Sequence, residues 1–462
     1  MIKDIFIIIN LTFSHIFVTL IYLEVIGKVL KYKHVNDTEV WGDGIMRKKK
    51  LIATILVVTS IFTTVFTGCS SNTATNKSKK QIVFFSNKIE AVDTYNKLVE
   101  KFEAENPDID VVVSAPPDAT TVLKTRLVKG DVPDIISLSA DRSFADFVDA
   151  NILEDLSDKI DFSVIDPVYN QMLKDLEIES VDGVYGVPYA LNASGVIYNK
   201  DIFEDLGLSI PKTWDEFLEL AQTVQDNGIT PFYFTLKDTW TSLPAWNNIA
   251  GTLADTDCFK RINNNETTFN EVYSETADKI LQLMDYGHSD NFGVGYNDGN
   301  TAFAQGKAAM YIIGNYAIPS ILTVNPDINL GMFTMPASNN EDENKLVSGV
   351  DVYFAIPKDS KNKEESIRFI NFLLEEENAK TYIDEQSAFS AVKGVKQEDS
   401  KFEAFDEFFE SSRVVDFQDH FYPAELPASD MIQTYLLDGN KEKFLSNFQK
   451  EWVKANRQYI KE

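Results

Sequence analysis

The chain is poor in cysteine, histidine and positive charge. Its 462 residues include two cysteines, Cys69 and Cys258. One disulfide is therefore the most it could form, and its cores must hold the fold. Of its four histidines only His288 and His420 lie beyond residue 68. Their separation in sequence, with no zinc-type Cys/His spacing, argues against a bound metal or a metal chelate. Lys and Arg number 43 against 71 Asp and Glu, for a net charge of −28. Such an acidic chain repels phosphate backbones, so nucleic acid is not an expected partner. The acidity reads as a solvated surface. No tandem repeat, P-loop or dinucleotide-binding glycine pattern is present, and no cofactor is expected.

What is present begins at residue 46. A basic cluster, Arg47 to Lys50, precedes the mostly apolar run Leu51–Phe66, and Thr67-Gly68 leads into Cys69. This is the three-part pattern of a bacterial export signal. A cysteine directly after a small residue resembles the lipobox of bacterial lipoproteins, although Phe66 stands where that family carries Leu. The resemblance implies cleavage before Cys69 and an acylated, palmitate-bearing anchor at the cell membrane, facing the extracellular side. The other reading is an uncleaved membrane anchor with a chance cysteine. With Cys69 acylated, Cys258 has no partner. Residues 1–45 contain a further apolar stretch, Ile5–Ile26, long enough to span a bilayer. We expect either an over-extended gene start, with Met46 the true first residue, or an extra hydrophobic segment. Residues 46–68 are then the signal peptide. Residues 69–80 are the lipidated cysteine and a polar, flexible tether.

From residue 81 short apolar runs alternate with segments of helical periodicity. Strands are expected at Gln81–Phe85, Ile109–Val113, Asp134–Leu138, Val196–Tyr198, Pro231–Thr235, Ala308–Ile313 and Val352–Ile356. Helices are expected over Ile89–Phe102, Thr120–Lys129, Ser143–Ala150, Tyr273–Tyr286 and Lys441–Tyr459, with one long helix over Glu364–Tyr382. Thr213-Trp214-Asp215-Glu216 has the spacing of a capping box and opens a helix through Val224. The alternation argues for an α/β fold built on parallel sheet. About 390 residues beyond the signal suit two domains rather than one core.

Several segments together resemble the sugar-binding, maltose-binding-protein-like branch (family 1) of the solute-binding proteins of ABC importers. They are Val132-Pro133-Asp134-Ile135-Ile136 with Asp141-Arg142, Tyr185-Gly186-Val187-Pro188-Tyr189, and Ile197-Tyr198-Asn199-Lys200. Pro211–Phe217, Phe303–Met310 and Gly314-Asn315-Tyr316 complete the set, in family order through most of residues 81–390. The resemblance implies a two-lobe, periplasmic-binding-protein-like (class II) α/β fold with the ligand cleft between lobes. Lobe 1 is expected at 81–190 and 345–388, lobe 2 at 191–344 and 389–462. The implied function is a lipid-anchored receptor that delivers a sugar or oligosaccharide to the permease subunits, as a monomer and without catalysis.

A sugar offers flat C–H faces and a rim of hydroxyls, which call for aromatic rings and planar polar groups. Asp141 and Arg142 occupy a family hydroxyl-binding position, with helix N-cap and surface arginine as the plain alternatives. Asn87 and Glu90 follow the first strand together with Lys88, and Glu90 reads equally as a first-turn helix acid. Asn192 aligns with a hinge carboxylate of maltose binders, so maltose specificity is not carried over. Tyr189 faces either cleft or core. Trp240 and Trp246 lie in one polar stretch, where Trp240 is the expected stacking platform and one of the pair plugs lobe 2. Tyr316 stands where maltose binders carry a tryptophan. Asp351 after Gly349, and Tyr422 in the tail, complete the candidates. A polyamine or peptide ligand on the same fold is the alternative. A secreted glycosidase is less favoured, because no sequence signature marks an acid pair.

Overall fold

A computed structural model describes residues 79–177 and 181–461. The export signal, the apolar stretch Ile5–Ile26 and Cys69 lie outside the described residues. The described residues fall within one compact unit, Lys77–Glu462. No described helix is long and apolar enough to cross a membrane.

Nine strands form the framework: β1 Lys80–Ser86, β2 Ile109–Ser114, β3 Ile135–Leu138, β4 Val187–Asn199, β5 Met310–Gly314, β6 Leu330–Phe333, β7 Leu346–Ala355, β8 Phe389–Ser390 and β9 Val414–Val415. Their path runs β2-β1-β3-β7-β4-β5, with β6 and β8 also on β4 and β9 on β7. Only part of this sheet is parallel. β1 pairs parallel with β2 and β3, and β9 runs parallel to β7. The β3–β7, β4–β7, β4–β5 and β4–β6 pairs are all antiparallel. The expectation of parallel sheet therefore holds for the strand–helix alternation at the start of the chain and fails beyond it.

Two strands join the halves of this two-lobed α/β fold. The start of β4 and the end of β7 complete the sheet of β1–β3, through Val187↔Phe354 and Ser137↔Phe354. The other end of β4 carries β5 and β6, through Val196↔Ile312 and Val196↔Phe333. Asn192 pairs with Gly349 midway along the ladder. Almost every residue of both strands is buried.

Each half has its own aromatic core. In the first, Phe84 meets Tyr95, Phe354 and Phe369, and Tyr95 meets Tyr382. In the second, Trp246 meets Tyr273, Phe444 and Phe448, while Trp452 stacks on Phe259. The capping box at Thr213 is formed, and its helix runs Trp214–Asp226. Each buried aromatic pair adds about 0.5–1.5 kcal/mol beyond its area.

Three segments depart from expectation. The single helix over Glu364–Tyr382 is two, Lys363–Leu373 and Glu376–Gln386. Glu375 is extended between them, and Asn378 Nδ2 donates to the buried carbonyl of Phe372 at 2.7 Å, which stabilises the break. Pro231–Thr235 is no strand and makes only the isolated bridge Phe232↔Met310. Ser348–Asp351 lies inside β7 rather than before it. In addition, residues 389–393, expected in lobe 2, bond to the first half, where Ala391 N donates to Tyr189 O and Lys393 N to Val164 O.

Candidate ligand-binding cleft

Polar side chains from distant segments converge around the midpoint of the β4–β7 ladder. Asp351 on β7 accepts from Lys88 Nζ at 2.6 Å, Asn192 Nδ2 at 3.1 Å and Ser139 Oγ at 3.5 Å. Asn87 Nδ2 donates to Ser139 Oγ at 3.1 Å. One carboxylate thereby ties together the residues after β1, the residues after β3, and β4. The Oδ1 atoms of Asn87 and Asn192 are buried and have no hydrogen-bond donor among the described residues. Unmet acceptors of this kind cost free energy until something donates to them.

A second cluster approaches from the segment after β9. Asp416 Oδ1 accepts from Phe417 N and His420 Nδ1, both at 2.8 Å, while its Oδ2 is buried with no donor among the described residues. The cluster fits only because residue 349 is glycine. A Cβ there would stand 2.2 Å from Asp416 Oδ1 and 3.1 Å from the His420 ring. Burial alone would lower the pKa of His420. The adjacent Asp416 carboxylate, helped by Asp419 and Asp141, outweighs that and raises it to about 9. Burial raises the pKa of Asp419, whose carboxylate accepts from Asn247 Nδ2 at 2.7 Å.

Three rings of the second half stand together, and Asp419 of the polar cluster is in electrostatic reach of one of them, Tyr316. Trp240 lies 5.0 Å from Tyr296 and 6.2 Å from Tyr316, centroid to centroid. Trp240 is 39% and Tyr316 36% exposed, unusual for large rings. Yet desolvation drives the Tyr316 hydroxyl well above its ordinary pKa. A ring open to water but crowded by protein occupies a concavity. Asp238 Oδ2 holds the Tyr296 backbone N–H at 2.7 Å. Asn315 pins the turn bearing Tyr316 to both β4 and the other half, accepting from Ala193 N at 2.7 Å and donating to Ser387 O at 2.8 Å. Glu90, exposed at the start of the first half, adds to the burial that raises the Tyr296 pKa, so the two approach from opposite lobes.

The structure brings Asn87, Asn192 and Asp351 into one network and sets Trp240 and Tyr316 side by side. Asp141 caps its helix, accepting from Ser143 N at 2.8 Å, while remaining in electrostatic reach of His420. Arg142 turns elsewhere, with its guanidinium 5.3 Å from the Tyr459 ring centre. Two candidates are corrected. Tyr189 is fully buried against Phe354 and Tyr382, so its ring has no face left for a ligand. Tyr422 is 6% exposed, and its hydroxyl bonds Trp246 Nε1 at 3.0 Å and Tyr273 at 2.9 Å inside the second core. Trp246 is likewise core.

Sequence reasoning missed Tyr296, Asp416, Asp419 and His420. The run Asp416-Phe417-Gln418-Asp419-His420 offered a signal in its density of polar hydrogen-bonding groups. His420 was weighed only as a metal ligand. Among the described residues no group of three or more His, Cys, Asp or Glu side chains is placed to hold a metal ion.

Comparison with known proteins agrees with the two-lobed fold. The sequence profile for "Bacterial extracellular solute-binding protein" matches residues 86–380. The multiple sugar-binding protein of Streptococcus mutans is 30% identical over 358 residues, covering 74% of this chain and 83% of its own. The melibiose/raffinose/stachyose-binding protein MelE of Bacillus subtilis is 25% identical over 382 residues, covering 80% and 88%. Among solved structures, apo RafE from Streptococcus pneumoniae superposes with a TM-score of 0.71 at 27% identity, over 84% of this chain and 100% of that one.

Proposed function

The chain belongs to the bacterial extracellular solute-binding proteins, and from that premise we propose that it captures a sugar between its lobes for an ABC importer. The observation that carries this reading is the pairing of exposed rings with unmet polar groups. Trp240, Tyr296 and Tyr316 supply flat apolar faces. The Asn87–Ser139–Asp351–Asn192 network, with its donorless oxygens, supplies partners for hydroxyls. The names of the relatives point to oligosaccharides such as melibiose, raffinose and stachyose as the first ligands to test.

In this reading β4 and β7 act as hinge strands, and ligand bridging the lobes favours the closed form that a permease recognises. The lobes meet near residue 190 and again near 345–350. Delivery to permease subunits, a monomeric state and the absence of catalysis belong to the same proposal. A polyamine or peptide ligand is kept as the alternative on this fold.

The test is a thermal-shift screen of residues 77–462 against mono- and oligosaccharides, with polyamines and peptides as controls. At about a hundred times its dissociation constant a ligand stabilises the fold by about 2.7 kcal/mol. A rise confined to polyamines or peptides would keep the fold and replace the ligand. Trp240→Ala and Tyr316→Ala are each expected to weaken sugar binding roughly tenfold, about 1.4 kcal/mol, with little change in melting temperature. Calorimetric affinities equal to wild type in both would mean that the cleft lies elsewhere.

The anchor is a separate proposal. Cys69→Ser is expected to abolish acylation and to move the protein from the membrane fraction into the medium, or to leave it as an uncleaved precursor. Unchanged lipid labelling of the serine variant would remove Cys69 as the lipidation site.

A further inference from the structure

A cavity of about 610 Å3 lies beside the helix Arg142–Asp149 that Asp141 caps. Arg142 and Asp146 line it from the first half. Glu425, Arg457, Gln458 and Tyr459 line it from the second. Its volume falls within the range of small-molecule sites. Tyr459 is held in place rather than dangling at the chain end. Its N–H donates to Asn456 O at 2.8 Å, and Lys461 N donates to Asn263 O at 2.9 Å. The Arg142 guanidinium lies against the Tyr459 ring, a cation–π geometry. Arg142 Nε is buried and has no hydrogen-bond acceptor among the described residues, because the Asp146 carboxylate stands 3.9 Å away. The guanidinium is also paired with the Asp146 carboxylate and interacts with the Tyr459 hydroxyl, so Nε is the one donor of the group left for a further acceptor among the described residues.

The cavity is continuous in sequence and in charge with the cleft. Asp141, the residue before Arg142, acts on His420, and Pro423 at the cavity wall follows three residues after it. The contents suit a carbohydrate: one ring for a C–H face, two guanidinium groups and an amide to donate, and two carboxylates to accept. We propose that this cavity is a distal sugar subsite, which takes the terminal unit of an oligosaccharide whose other end lies by Trp240 and Tyr316. The proposal rests on the sugar-receptor reading and adds a length preference to it. Both lobes supply the subsite, so it is complete only when they are together.

The test is calorimetry of galactose, melibiose, raffinose and stachyose on the purified wild-type protein, Tyr459→Ala and Tyr459→Phe. Wild-type affinity is expected to rise at least tenfold from the shortest bound sugar to the longest. Tyr459→Ala is expected to remove that rise while leaving the shortest bound sugar unaffected. Tyr459→Phe, which keeps the ring, is expected to retain most of it. An equal loss at every length would make Arg142–Tyr459 a lobe latch and overturn the subsite. No loss at any length would overturn it too. If wild type binds none of these sugars, the same titrations use the sugar series that the thermal-shift screen identifies; if that screen finds no sugar, the receptor reading fails first and the subsite with it. A loss of binding that tracks a fallen melting temperature in both variants would assign Tyr459 to folding and overturn the proposal.

Discussion

Replacing Asp351 by alanine is expected to cost about 2 kcal/mol of stability, between the value of an exposed ion pair and that of a fully buried one. The reason is what the substitution leaves behind. Lys88 is 13% exposed and Asp351 21% exposed. The alanine variant strands an ammonium group in a poorly solvated place. It also removes the acceptor for Asn192 Nδ2. Urea denaturation of Asp351→Ala, Lys88→Met and the double variant measures this directly. The double variant should be more stable than the Asp351→Ala single, because no charge is left unpaired. If Asp351→Ala costs under about 0.5 kcal/mol, the value of an exposed pair, the pairing at the ladder midpoint is only a surface contact. Sugar affinity should fall in the same variant, because Asn192 loses the partner that orients it.

The second large effect is a pH dependence seated at His420. Its folded pKa, about 9, lies above the ordinary value of 6.5. The folded state therefore binds this proton more tightly than the unfolded chain does. The stabilisation is fully present below pH 6.5 and is lost as pH rises through about 9. A shift of this size corresponds to about 3 kcal/mol. Wild-type stability is expected to decline over that interval more steeply than that of His420→Gln, which lacks the titrating ring. Parallel stability–pH curves for the two proteins would show that His420 is not held charged by Asp416 and Asp419. Sugar binding should weaken over the same alkaline interval if the imidazolium keeps the Asp416 cluster in place.

Local chemistry was legible in the sequence wherever one segment decides its own conformation. The capping box at Thr213 and the apolar spacing of Tyr95, Leu98 and Phe102 each specify a helix without help from elsewhere. Of the two joining strands only the far ends were legible, Val196–Tyr198 in β4 and Val352–Ala355 in β7. β4 is buried on both faces, so it shows no alternation, and Asn192, Ser194 and Gly195 interrupt its apolar run. The break at Glu375 was hidden because the apolar spacing continues through it, while the deciding contact is made by Asn378 three residues later.

The site divides in the same way. Asn87 and Asn192 entered through the family resemblance and Asp351 through its place after Gly349, and the structure puts all three in one hydrogen-bonded network. Tyr189 and Tyr422 misled because a tyrosine joins an apolar ring to a polar tip, which suits a core and a cleft alike. Asp416 and His420 were missed because their place depends on Gly349, 67 residues before Asp416 in the chain. That approach is set by the absence of a side chain, which leaves no pattern of its own.

The shared ladder also bears on how such a receptor can be inherited. Each half takes one end of both β4 and β7. Neither half is a continuous stretch of gene that could be exchanged as a cassette. A crossover between related genes inside residues 187–199 or 346–355 would place two strand ends of different ancestry in one register. On the proposed site, ligand preference is free to drift at Trp240, Tyr316 and the cavity by Tyr459, where a side chain can change alone. The joining strands must travel together.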